Sequence, residues 1–255
     1  MDHLKNIAAI VTGGGSGMGA AAARMLAEAG AKVALWDING DAVKSTAQEI
    51  GGLAVSCDVA DEKSVEQALA ASRQAHGAAR ILVNCAGILI GRKIVGKEGA
   101  ADLDHFHKTL HVNVLGTYNT MRLVAADMAM QEPLTDDGER GVIINTASIA
   151  AFEGQMGQVA YSASKGAIVA MTLPAARDLA RNGIRVMAIA PGAIETPMME
   201  GVRDDIREAI ELNVPFPPRM GKPEEFAKLV LHIVENSYLN GSVIRLDGGA
   251  RLAGK

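Results

Sequence analysis

Ser148, Tyr161 and Lys165 bring a hydroxyl, a phenol and an ammonium into one short stretch of the chain. Tyr161 and Lys165 are four residues apart, a spacing that puts both side chains on one face of a helix, one turn apart. A cation there favours the phenolate. Bringing a tyrosine from about 10 to near 7 takes roughly 4 kcal/mol. A unit charge about 4 Å away, at an effective dielectric near 20, supplies about that much. The spacing therefore predicts that Lys165 makes Tyr161 a general base usable at neutral pH. Taken alone, Tyr-x-x-x-Lys also describes a solvated helix face, so the surrounding elements decide between the two.

The first of these elements is an apolar run from Ile7 to Val11, followed by Thr12-Gly13-Gly-Gly-Ser16-Gly17-Met18-Gly19 and the helix-forming Ala20 to Ala29. Strand, glycine turn and helix is the context in which a glycine cluster binds phosphate. Glycines admit a pyrophosphate to the backbone, and the helix N-terminus offers free N–H groups and partial positive charge. A tight turn with close helix–strand packing is the alternative. The next strand, Lys32 to Trp36, ends in Asp37. An acid about 20 residues past such a turn accepts from the ribose hydroxyls of NAD and repels a 2′-phosphate. Ser16 supplies no positive charge for that phosphate, so NAD is expected over NADP. A cap or turn role is the alternative for Asp37. Asp58 and Val59 follow a strand at Leu53 to Cys57, where an adenine would lie, and Asp61 caps the helix Glu62 to Ala75. A fourth strand, Arg80 to Asn84, leads into Asn84-Cys-Ala86-Gly87, in which Gly87 permits close approach of a cofactor and Asn84 braces the turn.

Residues 89–101 read as a long surface loop, of the kind that is functional or mobile in compact domains. Asp102 caps a long helix whose apolar stripe runs through Leu103, Phe106, Leu110, Val114, Tyr118, Met121, Ala125 and Met128, with Asn113 beside it. His105, His107 and His111 lack a metal-binding pattern, and no metal is expected. Val142 to Ile144 reads as a central parallel strand that delivers Ser148 beyond its C-terminal end, where open α/β sheets bind ligands. The Tyr161 helix runs to about Arg181, and Pro174 should kink it or open a turn. A sixth strand, Ile184 to Ala190, ends at Pro191-Gly192, with Thr196 beyond. Residues 196–220 read as a lid with an amphipathic piece at Val202, Ile206 and Ile210. A last helix, Glu224 to Glu235, and a strand, Ser242 to Leu246, complete the alternation. The pattern predicts one domain over residues 1–255, a Rossmann-type doubly wound parallel sheet with helices on both faces.

Composition agrees with an α/β class: 255 residues, 49% hydrophobic, allow a large core. A net charge of −4 with no dominant basic patch argues against a nucleic-acid partner. Cys57 and Cys85 form no disulfide framework and read as inert thiols on neighbouring buried strands, which points to a reducing compartment. No apolar run reaches the roughly 18 residues of a membrane span. The start of the chain has neither signal-peptide nor transit character, so a soluble, cytoplasmic protein is expected.

Together, Thr12-Gly-x-x-x-Gly17-x-Gly19, Asn84-x-Ala-Gly87, Asn113, Ser148, Tyr161-x-x-x-Lys165 and Pro191-Gly192 resemble the short-chain dehydrogenase/reductase superfamily in order and spacing. Cys85 stands where many members carry a second Asn. Four segments further resemble its type II 3-hydroxyacyl-CoA dehydrogenase group: 140–148, 151–158, 171–179 and 240–247. The loop at 89–101 matches an insertion of that group. The resemblance implies reversible hydride transfer between NAD and a secondary alcohol, with an acyl-CoA thioester as substrate. Tyr161 would be the base, Lys165 would stabilise the tyrosinate and hold the nicotinamide ribose, and Ser148 would bind the substrate oxygen. Asn113 would position a relaying water, and Gln155 would contact substrate. Cofactor contacts would come from Gly13, Ser16, Met18, Asp37, Asp58, Val59, Asn84, Ala86, Gly87, Pro191, Ile194 and Thr196, with Gly17, Gly19 and Gly192 shaping the turns. A homotetramer is implied as well. Alternatives within the superfamily are a 3-oxoacyl-carrier-protein reductase and a steroid or polyol dehydrogenase. Outside catalysis, a NAD-binding regulator remains.

Overall fold

The computed structural model describes residues 4–199 and 204–254, except for the side chains of 198, 204, 206 and 209. Strands and helices alternate as β1 (Ala8–Thr12), α1 (Gly17–Glu28), β2 (Lys32–Asp37), α2 (Gly40–Ile50), β3 (Leu53–Ser56), α3 (Glu62–His76) and β4 (Ala79–Asn84). After a small hairpin, β5 (Val95–Gly96) and β6 (Gly99–Ala100), come α4 (Asp104–Leu110), a π-helical turn (His111–Gly116) and α5 (Thr117–Ala129). The second half holds β7 (Gly141–Thr146), α6 (Val159–Leu179), β8 (Ile184–Pro191), α7 (Asp204–Leu212), α8 (Pro223–Glu235) and β9 (Val243–Leu246). Local signals set several of these boundaries. Asn39 caps α2 through the Ala42 N–H, and Asp61 caps α3 through the Ser64 N–H.

Seven strands form one parallel sheet in the order β3-β2-β1-β4-β7-β8-β9. Each strand alternates its side chains between the two faces. Val11, Ile144 and Ile189 join Leu26, Phe226 and Val230 in the core under α1 and α8. Ile10, Leu82, Ile143 and Val186 join Val65, Val124 and Met128 in the core under α3 and α5. The strand order reverses between β1 and β4, and a crevice opens there at the C-terminal ends of the strands.

Four features depart from the sequence expectation. Cys57 and Cys85 do not end neighbouring strands, because β2 and β1 lie between β3 and β4; both thiols are free. The loop at 89–101 contains the β5–β6 hairpin. The long helix is interrupted by the π turn at His111–Gly116, which shifts the phase of the stripe. Met121, Ala125 and Met128 are consequently core, whereas Leu103 and Tyr118 are exposed. Helix α6 runs through Pro174 as one element. The lid contributes α7, but Val202 lies outside the described residues, as does the Ile206 side chain.

Candidate active site

A cavity of about 750 Å³ occupies the crevice. The β1–α1 turn forms one side of it. Gly13 has φ +64, and a Cβ on Gly19 would lie 2.1 Å from the Gly13 carbonyl oxygen, so neither position admits a side chain. Ser16 is the N-cap of α1, but its side chain makes no capping bond and α1 has no acid in its first turn. Its hydroxyl and the helix N-terminus are thus free to meet an anion. The Asp37 carboxylate sits at the end of β2, accepting from the Gly15 N–H at 3.0 Å and the Asn39 N–H at 2.9 Å. It braces the glycine turn and also lines the cavity. Gly13, Ser16, Gly17, Met18, Gly19, Asp58, Val59, Ala86, Gly87, Pro191, Gly192, Ile194 and Thr196 all line the same space.

Asn84 does not. Its side chain is buried behind the turn, donating to Asn145 Oδ1 at 2.9 Å and accepting from Thr120 Oγ1 at 2.8 Å. Thr12 Oγ1 in turn accepts from the Cys85 and Ala86 N–H groups, both at 3.2 Å. The Asn84 side chain is therefore placed behind the wall of the cavity, and the cofactor contact also expected of Asn84 has no lining atom to make it.

Ser148, Gln155, Tyr161 and Lys165 line the other end. Ser148 follows β7 and opens a short 3₁₀ turn; its Oγ accepts from the Ala150 N–H at 3.1 Å. That leaves the hydroxyl proton free to donate. Lys165 is buried and donates to the Thr146 carbonyl at 2.7 Å. Its nitrogen lies 5.7 Å from the centre of the Tyr161 ring. Burial pushes the Lys165 ammonium down to about 8, against a smaller upward pull from Cys85. Burial also raises the Tyr161 phenol above its ordinary value, while the Ser148 hydroxyl pulls it down. In the ligand-free site, burial therefore works against the phenolate that Lys165 is expected to favour.

Asn113 sits in the π turn and is also absent from the cavity wall. Its Oδ1 accepts from the Ile88 N–H at 2.8 Å, and its Nδ2 donates to the Ile88 carbonyl at 2.9 Å and to Ser164 Oγ at 3.0 Å. Both amide hydrogens are spent, so the side chain clamps Ile88, which does line the cavity. Gln155 faces the cavity and donates weakly to the Ala253 carbonyl at 3.4 Å. Sequence reasoning missed Gln158, Lys108, His111 and Leu252, all cavity residues without a motif. Cys57 and Cys85 also line it, both pushed up to about 11 by burial, so they behave as inert thiols.

Fold and site together define a dinucleotide crevice with a serine, a tyrosine and a lysine converging at one end. The chain belongs to the short-chain dehydrogenase family, whose model matches residues 7–207. It is 49% identical to 3-hydroxyacyl-CoA dehydrogenase type-2 from Bos taurus, covering 98% of this chain and 97% of that protein. A solved 3-hydroxyacyl-CoA dehydrogenase type-2 from Mycobacterium avium is similar at TM-score 0.94 and 42% identity, with 98% of each chain covered. A 3-ketoacyl-(acyl-carrier-protein) reductase from Brucella melitensis, solved with NADH, is similar at TM-score 0.83 and 31% identity, covering 96% of this chain and 98% of that one.

Proposed function

We propose that this chain is an NAD-dependent dehydrogenase that interconverts 3-hydroxyacyl-CoA and 3-oxoacyl-CoA thioesters. The observation that carries the proposal is the shared cavity, which the glycine turn lines at one end and Ser148, Tyr161 and Lys165 at the other. The near full-length likeness to 3-hydroxyacyl-CoA dehydrogenases supports the substrate class.

The residues fit a dinucleotide. The free Ser16 hydroxyl and the α1 N-terminus suit its pyrophosphate, and Asp58 and Val59 flank the place of an adenine. Asp37 favours two ribose hydroxyls over a 2′-phosphate, since a carboxylate accepts from the former and repels the latter. Bound NAD supplies the group that accepts and returns the hydride.

Ser148 Oγ–H donates to the substrate oxygen and fixes it beside Tyr161. Lys165 has three donors and spends one on Thr146, which leaves two for ribose hydroxyls. In the reductive direction Tyr161 Oη gives its proton to the oxygen at carbon 3. In oxidation it takes that proton back. With the phenol raised by burial, the resting site holds the proton and is set up as the acid of the reduction. Asn113 keeps Ile88, and so the edge of the cavity, in place. A homotetramer is part of the proposal, supported by Leu115 and Tyr118, which remain exposed along the π turn and α5; sedimentation velocity tests it.

Steady-state assays of acetoacetyl-CoA, a 3-oxoacyl carrier protein, a steroid and a polyol, each with NADH and NADPH, test the function. Acetoacetyl-CoA with NADH is expected to give the highest kcat/KM. Preference for the carrier-protein thioester with NADPH would falsify the proposal.

A further inference from the structure

We infer that Leu252, on the C-terminal segment, is a specificity-determining wall for the acyl chain, and that Arg245 is the positioning residue that holds it. The inference rests on the acyl-CoA reading above. After β9 the chain turns back through Gly248 and Gly249, both with positive φ. Asp247 ties the turn: its carboxylate accepts from the Gly249 N–H at 3.0 Å, and its carbonyl accepts from the Ala250 N–H at 2.9 Å. Arg245 then joins the turn to the loop after Ser148. Its guanidinium bonds both oxygens of Glu153, donates to Asp247 at 2.7 Å and reaches the Ala250 carbonyl at 3.2 Å. It also lies over the Phe152 ring, 5.2 Å from its centre.

Glu153 is two residues before Gln155, and Gln155 donates to the Ala253 carbonyl. Leu252 is therefore fixed on both sides, at Ala250 and at Ala253, and it lines the same cavity as Ser148 and Tyr161. The lid adds Met199 and Ile210 to that cavity. These three side chains offer hydrocarbon and no charge, which suits an acyl chain better than the phosphates of coenzyme A. The Arg245 fork, bidentate on Glu153, is the geometry that gives such a pair its directionality. A wall held this way resists displacement by a long chain, so its volume sets how long a chain fits.

The test compares acetoacetyl-CoA with 3-oxododecanoyl-CoA, each reduced with NADH by the full chain and by Leu252→Ala, Leu252→Trp and Glu153→Gln. The readout is the ratio of kcat/KM for the long thioester to that for the short one. Leu252→Trp is expected to lower this ratio about ten-fold, and Leu252→Ala to raise it. Glu153→Gln is expected to shift it in the direction of Leu252→Ala, through KM for the long thioester. Arg245→Lys should lie between wild type and Arg245→Met. Equal ratios in wild type and both Leu252 variants overturn the inference and leave the functional reading standing. A wild-type chain that reduces neither thioester overturns both.

Discussion

The Lys165 ammonium lies over the face of the Tyr161 ring, 5.7 Å from its centre, and gives its hydrogen bond to the Thr146 carbonyl instead. The two side chains share one face of α6, as their four-residue spacing requires. They nevertheless interact as charge and ring rather than as donor and phenol. The downward pull on the Tyr161 phenol comes from the Ser148 hydroxyl, and Lys165 retains donors for another partner.

Replacing Tyr161 by Phe removes the phenol that lines the cavity and keeps the ring's volume. Turnover of acetoacetyl-CoA with NADH should fall by about three orders of magnitude or more. NADH binding, read by fluorescence titration, should persist. Turnover within a few-fold of wild type excludes Tyr161 as the proton donor.

Burial sets the pH response of cofactor binding. Lys165 is pushed down to about 8, so its ammonium is intact well below that pH and is lost as the pH rises through it. An amine donates more weakly than an ammonium. Affinity for NADH is expected to be flat below neutrality and to weaken across the region around 8. Lys165→Met should bind more weakly throughout and lose this inflection. An inflection that survives in Lys165→Met assigns the titration to another group.

Tyr161 should remain a phenol in the ligand-free protein at neutral pH, because burial raises it above its ordinary value. Tyrosinate absorption should stay absent from the free enzyme until the pH is alkaline. A tyrosinate signal near neutrality, lost in Tyr161→Phe, contradicts this assignment.

Asp37→Ser tests cofactor choice. The substitution removes a carboxylate that holds the Gly15 N–H and that the proposed function sets against a 2′-phosphate. The kcat/KM ratio of NADH to NADPH is expected to fall by about ten-fold or more, as for loss of one unit charge at close range. An unchanged ratio places the discrimination elsewhere.

Asn84→Ala separates support from contact. The change leaves Asn145 Oδ1 without its donor in a buried site and opens a void there, while the Thr120 hydroxyl keeps its helix carbonyls. Stability should drop by about 2–3 kcal/mol in urea titrations. NADH affinity should fall less than in Lys165→Met, since Asn84 does not reach the cavity. A larger loss of affinity than of stability identifies a direct contact.

Much of the fold is legible in the chain because its signals are local. Glycines after Val11, the cap at Asp61, and β-branched strands at β7 and β8 act over a few residues each. Three departures have non-local or cooperative causes. The π turn at His111–Gly116 carries no residue signature, yet it changes which side of the long helix is buried. The separation of Cys57 from Cys85 follows from sheet order, which reverses at β1. Leu252 has no motif at all; it reaches the cavity because Arg245 and Glu153, far apart in sequence, pair.

The sequence by itself determined the doubly wound class, the glycine turn, the acid at Asp37 and the set Ser148, Tyr161 and Lys165. Each is written in residue type and short spacing, and spacing along a helix or past a strand translates directly into direction. Tertiary structure alone decided which of them line the cavity and how burial acts on Tyr161 and Lys165 there. Asn84 turns inward onto the Asn145 and Thr120 side chains and Asn113 onto the Ile88 backbone, and burial works against the phenolate expected of Tyr161. Desolvation depends on everything packed around a group, and no spacing along the chain encodes it.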